Sequence, residues 1–300
     1  MFDPKNVSLG IAPIGWCNDD MPELGGENTF QQIVSEMALA GFTGCEIGNK
    51  YPKDPAELKK ALDLRGMRIA SRWYSSFILT RPIEEEIADF TANLDFLAAV
   101  GANRINVSEQ SYSIQGQMDT PVLTGGHKHV MNDEEWDRFC AGLNTLGKIA
   151  VERGFKLCFH HHMATVVQTF EETKRLMEGT DPRYVFLCYD TGHFTFSKED
   201  AVRAAREFGP RIGHVHLKDI RPEMMEQAYR EGFKFRKAVL EGCFTIPGDG
   251  CVDFPSVFAA LRDAHYEGWF IVEAEQDPAK ANPLEYALKA RDYIRKTAGI

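Results

Sequence analysis

A chain of 300 residues with 44% apolar content is long enough for a sizeable core. Its formal charge of −10, without any Lys/Arg-rich run, argues against nucleic acid and anionic membranes as partners. Residues 1–10 carry no signal pattern and no apolar segment approaches the ~18 residues of a membrane span, so a cytoplasmic protein is expected. The seven Cys are odd in number, scattered and free of any CxxC pair, which suits reduced thiols.

Residues 7–14 read as a first strand, followed by the polar loop Gly15-Trp16-Cys17-Asn18-Asp19-Asp20. Helical spacing of Phe30, Ile33, Val34, Met37 and Ala38 predicts a helix over 29–40, closed by Gly41. A short strand over 42–48 contains Glu46, which is singled out because an isolated buried carboxylate is costly. A helix over 55–64, a strand over 67–74, a helix over 83–100 and a strand over 103–109 continue the alternation. Residues 110–132 interrupt it, and a loop of that length is usually functional; a lid is one reading. Asp133 caps a helix reaching Arg153, and the fifth strand, 155–162, ends in His160-His161-His162. Strands over 185–190, 211–217 and 269–273 alternate with helices over 166–177, 198–208, 255–264 and 284–296, with a second polar insertion over 221–253. Eight strand–helix units without a linker predict one domain over 1–300, an α/β fold of the (β/α)8 TIM barrel type.

Right-handed crossovers bring the C-terminal ends of all strands to one rim. That rim would gather Glu46, His160 or His162, Asp190, His216 and Glu273. Carboxylate oxygen and imidazole nitrogen with open positions suit a divalent ion, and the absence of Cys argues against a structural zinc. His160, nearest the regular end of its strand, is the expected ligand, and His162, on the same face, a substrate contact. Asp190 could instead cap a helix, but its place at the end of an apolar strand favours the ligand role. His193 is read as a substrate or proton-transfer residue. His216 lies nearer the rim than His214, which is expected to be a satisfied core histidine. Lys218 is either a solvated partner of Asp219 or, in a dry cavity, an acid or base with a lowered pKa. Glu275 is placed behind Glu273 or at the rim. Trp16 is expected to form an apolar wall for a substrate ring, with Asn18 of the same loop as a further substrate contact.

Asp190-Thr191-Gly192-His193, His214-Val215-His216-Leu217-Lys218-Asp219 and Gly268-Trp269-Phe270-Ile271-Val272-Glu273 resemble the xylose isomerase-like barrel superfamily. Within it, Gly15-Trp16-Cys17-Asn18-Asp19, Cys158-Phe159-His160-His161-His162-Met163-Ala164-Thr165 and Glu273-Ala274-Glu275-Gln276-Asp277-Pro278 resemble the inosose dehydratases of bacterial inositol catabolism. The resemblance implies removal of water from the polyol-ketone 2-keto-myo-inositol, metal ligands at Asp190, His216 and Glu273, manganese or cobalt as the ion, and glutathione as a further cofactor. No residue marks a glutathione site. A Lewis-acidic metal on the ketone oxygen would stabilise an enolate, with Lys218, Glu46 and His193 sharing the base and acid roles in an order the sequence leaves open. A sugar or inosose isomerase or epimerase is the alternative. The superfamily's epimerases offer Glu at the end of the fifth strand, where this chain has His160, which counts against it. The two insertions could close over the site or pair subunits in a homo-oligomer.

Overall fold

A computed structural model describes residues 2–116, 120–122 and 126–300. Parallel strands β1 (Val7–Ile11), β2 (Gly44–Glu46), β3 (Arg68–Ser71), β4 (Trp73–Ser76), β5 (Arg104–Glu109), β6 (Lys156–His160), β7 (Val185–Asp190) and β8 (Ile212–Leu217) are followed by a short pair, β9 (Asp219–Ile220) and β10 (Phe244–Thr245), and by β11 (Gly268–Val272). The main sheet runs β3-β2-β1-β11-β8-β7-β6-β5-β4. The third predicted strand is therefore two, divided at Arg72: β3 pairs with β2 and β4 with β5. This divided strand is the seam of the barrel. The Asn106 amide still donates to the Arg72 carbonyl at 3.0 Å.

Helices α1 (Phe30–Leu39), α2 (Pro55–Asp63), α3 (Ile83–Ala99), α4 (Asp133–Glu152), α5 (Phe170–Gly179), α6 (Thr191–Phe196), α7 (Ala201–Phe208), α8 (Pro222–Glu231), α9 (Phe235–Leu240), α10 (Phe254–Asp263) and α11 (Pro283–Ala298) complete the chain. Local chemistry sets their starts. The Thr29 side chain accepts from Gln32, and Thr169–Glu172 and Asn132–Glu135 form reciprocal capping boxes. Asn132, rather than Asp133, is thus the cap of α4; Asp133 sits in its first turn, where a negative charge suits the helix dipole. Helix α5 starts at Phe170, four residues later than predicted, because Thr169 is its cap.

The strands and the inner faces of the surrounding helices form one continuous apolar core. A second cluster lies apart from it, built from Met21 and Leu24 of the first loop, Ile114 and Val122, Met163, Phe196, and Phe233, Phe235 and Phe244 of the second insertion. Both insertions therefore contribute to one roof; of the lid expected in the first, residues 117–119 and 123–125 lie outside the described residues. Among the described residues, no helix is long and apolar enough to cross a membrane. All seven Cys are free; Cys17 and Cys243, expected in loops, are buried, and Cys251 is exposed.

Candidate active site

Four strand ends that are neighbours in the sheet, those of β6, β7, β8 and β11, bring together His160, Asp190, His216 and Glu273, with one ligand atom from each lying within 4.8 Å of all the others. His160 Nε2 lies 3.1 Å from His216 Nδ1 and 3.5 Å from Asp190 Oδ2. His216 Nδ1 lies 3.5 Å from Asp190 Oδ2 and 2.7 Å from Glu273 Oε2. Donors about 2.0–2.2 Å from one ion stand roughly 3–3.6 Å apart, so these spacings fit a divalent metal. Asp190 Oδ2 and Glu273 Oε2 are both buried without a hydrogen-bond partner, a costly state that a cation relieves. The chemistry of the donor set, two imidazoles and two carboxylates, fits the same group.

The segment Asp190-Thr191-Gly192-His193 shows why these residue types stand in this order. Asp190 takes the cap role that competed in the sequence, with Oδ1 accepting the His193 amide at 2.8 Å at the start of α6, and its Oδ2 remains free to belong to the candidate donor cluster. The Asp190 amide donates to His161 Nε2 at 3.1 Å. Thr191 Oγ1 donates to the Lys218 carbonyl at 2.7 Å and accepts the Lys218 amide at 3.0 Å. A Cβ on Gly192 would stand 2.5 Å from Lys218 Cγ, so only glycine lets that side chain pass. His193 Nε2 then meets Lys218 Nζ at 3.1 Å.

Lys218 is fully buried, with its Nζ 3.1 Å from Glu275, 3.6 Å from Glu273 and 3.7 Å from Asp190. The lowered pKa expected for it is reversed. Burial alone pushes the ammonium down, but the charges of Glu273, Glu275 and Asp190 outweigh burial and raise it. Burial and the charge of Glu273 push Glu275 up to about 7 against the pull of Lys218.

Glu46 closes the other side. Burial would raise its carboxyl, yet His216 and His214 hold it well below the usual carboxylate range. Its Oε1 receives Ser71 Oγ at 2.6 Å and Asn106 Nδ2 at 2.8 Å, and lies 2.9 Å from His214 Nε2 and 3.1 Å from His216 Nε2. The Glu46 contact turns the Nδ1 of His216 toward the donor cluster, the orienting role that a carboxylate plays behind a metal-binding imidazole. His214 is only half satisfied: its Nδ1 has no partner, and burial drives its pKa down to about 4.

Above these groups opens a cavity of ≈ 670 Å³, lined by Asp19, Asp20, Glu46, Arg72, Trp73, Asn106, His162, His216, Glu273 and Glu275 among others. Its size suits a small polar ligand. His162 lines it as expected. His193 does not; it lies behind His162, with ring centroids 3.7 Å apart. Trp16 is a correction: its indole is buried and its Nε1 donates to Glu36 of α1 at 2.6 Å, which turns it away from the cavity. Asn18 is also absent from the lining; its Oδ1 accepts the amides of Asp20 and Met21 and builds the turn that presents Asp19 and Asp20. The aromatic wall is Trp73, packed edge-on to His160 and His162 at 5.5 and 5.8 Å. Glu275 lines the cavity beside Glu273, at the rim, one of the two places expected for it; Ser71, Asn106 and Arg72 are lining or supporting residues that the sequence pattern did not single out for the site. Asn106 had a usable signal, a polar residue between Ile105 and Val107 in a buried strand.

The fold and site define a class. The family profile of xylose isomerase-like TIM barrels matches residues 34–297. Solved structures share the fold across nearly the whole chain. The IolI protein with a bound zinc atom has a TM-score of 0.72 at 14% identity, covering 97% of this chain and 98% of its own. D-allulose 3-epimerase from Methylomonas sp. has a TM-score of 0.69 at 20% identity, covering 99% of each chain. An inosose dehydratase from Geobacillus thermodenitrificans is 58% identical over 300 residues, 100% of both chains. The chain belongs to the inosose dehydratase family of xylose isomerase-like TIM barrels, enzymes of the lyase type.

Proposed function

We propose that this enzyme removes water from 2-keto-myo-inositol (scyllo-inosose) to give 3D-(3,5/4)-trihydroxycyclohexane-1,2-dione. The observation that carries the reading is the pair of buried carboxylate oxygens, Asp190 Oδ2 and Glu273 Oε2, that accept no hydrogen bond and converge with two imidazoles at the base of a polar cavity. His160, Asp190, His216 and Glu273 would hold the metal, for which manganese or cobalt is proposed; when bound, it supplies Lewis acidity that polarises the ketone. Glutathione is proposed as a further cofactor on resemblance alone, with no residue assigned to it.

The protein's own groups divide the proton work. Glu46, held ionised with Oε1 saturated, offers its other oxygen to the C–H proton beside the ketone. Glu275, which lines the cavity with its carboxyl pushed up to about 7, donates to the departing β-hydroxyl. Lys218, held protonated behind the wall with its Nζ 3.1 Å from both Glu275 and His193, resupplies that proton from the His193 side. Positioned acids and bases of this kind contribute ~10²–10⁴-fold each. His162 and Trp73 position the ring, and the roof excludes water. The test is mass spectrometry of 2-keto-myo-inositol incubated with the enzyme, with manganese or cobalt and after chelation. A metal-dependent product lighter by one water is expected. An isomer of unchanged mass would replace the reading with isomerisation, and no reaction would remove the substrate.

A further inference from the structure

The interior of the barrel changes character from one mouth to the other. Side-chain alternation puts Lys156 on the same inner face of β6 as His160, and Arg104 on the same inner face of β5 as Asn106, in both cases nearer the N-terminal mouth. Arg104 and Lys156 are register partners on neighbouring strands. Arg68, at the start of β3, joins them around a hollow of ≈ 360 Å³ that Ser8 and Trp269 also line. The bottom layer of such a barrel is ordinarily filled by branched apolar side chains. Here the mouth of that layer carries three cations, Arg104 and Lys156 half-buried and Arg68 exposed.

Their partners are neutral. Arg68 Nη2 donates to Ser8 Oγ at 2.9 Å, and its guanidinium lies 4.8 Å over the Trp269 ring. Arg104 Nε donates to the Gly213 carbonyl at 3.0 Å and its Nη1 to Asn103 Oδ1 at 2.8 Å. Lys156 Nζ sits 4.9 Å from the Phe186 ring centroid. The carboxylate lining the hollow, Glu267, is exposed and accepts Asn6 Nδ2 at 2.7 Å. Like charges facing each other across adjacent strands are destabilising. In a chain with 44 acidic and 34 basic residues, two half-buried cations and the exposed Arg68, gathered at one mouth without a carboxylate partner among the described residues, leave a local surplus of positive charge that an anion would offset.

We propose that the N-terminal mouth binds a small oxyanion, a phosphate group either free or carried on a small monoester, between Arg68, Arg104 and Lys156. Two guanidinium forks and an ammonium match a tetrahedral oxyanion in charge and hydrogen-bond geometry. The site lies at the opposite end of the barrel from the metal donors, so its ligand stabilises the folded barrel by mass action without entering the reaction.

The test is calorimetric titration of the full-length, metal-loaded enzyme with inorganic phosphate at constant ionic strength, with chloride as the reference salt. Saturable binding and a concentration-dependent rise in Tm are expected. The R68Q/K156Q double variant should raise Kd at least about tenfold, with metal content and turnover unchanged. Should that variant fail to fold, phosphate-dependent change of tryptophan fluorescence in the natural enzyme, lost in Trp269→Phe, decides the matter. A parallel titration with ribose 5-phosphate distinguishes the sources: tighter binding than inorganic phosphate assigns an ester, equal or weaker binding the free ion. Equal affinity of the natural enzyme and R68Q/K156Q, or no saturation in the millimolar range, overturns the proposal.

Discussion

The barrel and its roof are built on different principles. In the barrel, every strand contributes to one apolar core, and the groups proposed for chemistry stand at strand ends or immediately beyond them. In the roof, a smaller cluster is assembled from the first loop, the two insertions and the turn after β6. It is pinned by single polar anchors. Asp219 accepts the amides of Gly248 and Gly250 at 3.0 Å and of Val252 at 2.9 Å, and Gln115 bonds Asp20 across the mouth at 3.0 Å. Labour is divided accordingly: strands built into the main core carry the candidate donors, whereas loops resting on a small core of their own are the segments expected to open first.

The sharpest break in that contrast is Asp190→Asn, which should keep the α6 cap and remove the charge facing the metal. Activity should fall by about 10³-fold or more, with metal lost on dialysis and Tm little changed. Full metal content with full activity would move the centre elsewhere. Lys218→Gln comes next: kcat should drop ~10²–10⁴-fold while bound metal, measured by elemental analysis, stays near one per chain. If KM rises and kcat is kept, Lys218 binds substrate and does not move protons. On the roof, Asp219→Ala leaves buried amides unpaired and should cost about 2–4 kcal/mol. Hydrogen exchange should then quicken over residues 244–252 while β6 to β8 keep their protection; uniform loss across the barrel would erase the distinction between barrel and roof. The smallest effect is a pair. Trp73→Leu should raise KM several-fold with stability held, whereas Trp16→Phe should leave KM alone and cost about 1 kcal/mol for the lost Glu36 hydrogen bond.

The strands and the gathering of the candidate donors at one rim were legible in the sequence because a short apolar run that ends in His, Asp or Glu and is followed by a helical pattern places that polar residue at the C-terminal end of a buried strand. Asp190, His216 and Glu273 follow from that rule together with the common handedness of the crossovers. What was illegible depended on neighbours far away in the chain. The raised pKa of Lys218 comes from Glu273 and Glu275, more than fifty residues on, and position near a strand end could not show that the Trp16 indole turns toward α1. Period reading also missed α6, α8 and α9, whose apolar faces pack on one another and on the roof, and the division of the third strand at Arg72.

All four proposed metal donors come from the run between His160 and Glu273, whereas Ser71, Arg72, Trp73 and Asn106, which line or support the opposite wall of the cavity, precede it. A chimera that keeps the C-terminal half of one family member carries the complete donor set with it. Exchange of the N-terminal half then changes the opposite wall of the cavity while the proposed donors stay on one segment, so recombination that keeps Glu46 behind His216 is expected to alter the cavity before it alters the donor set.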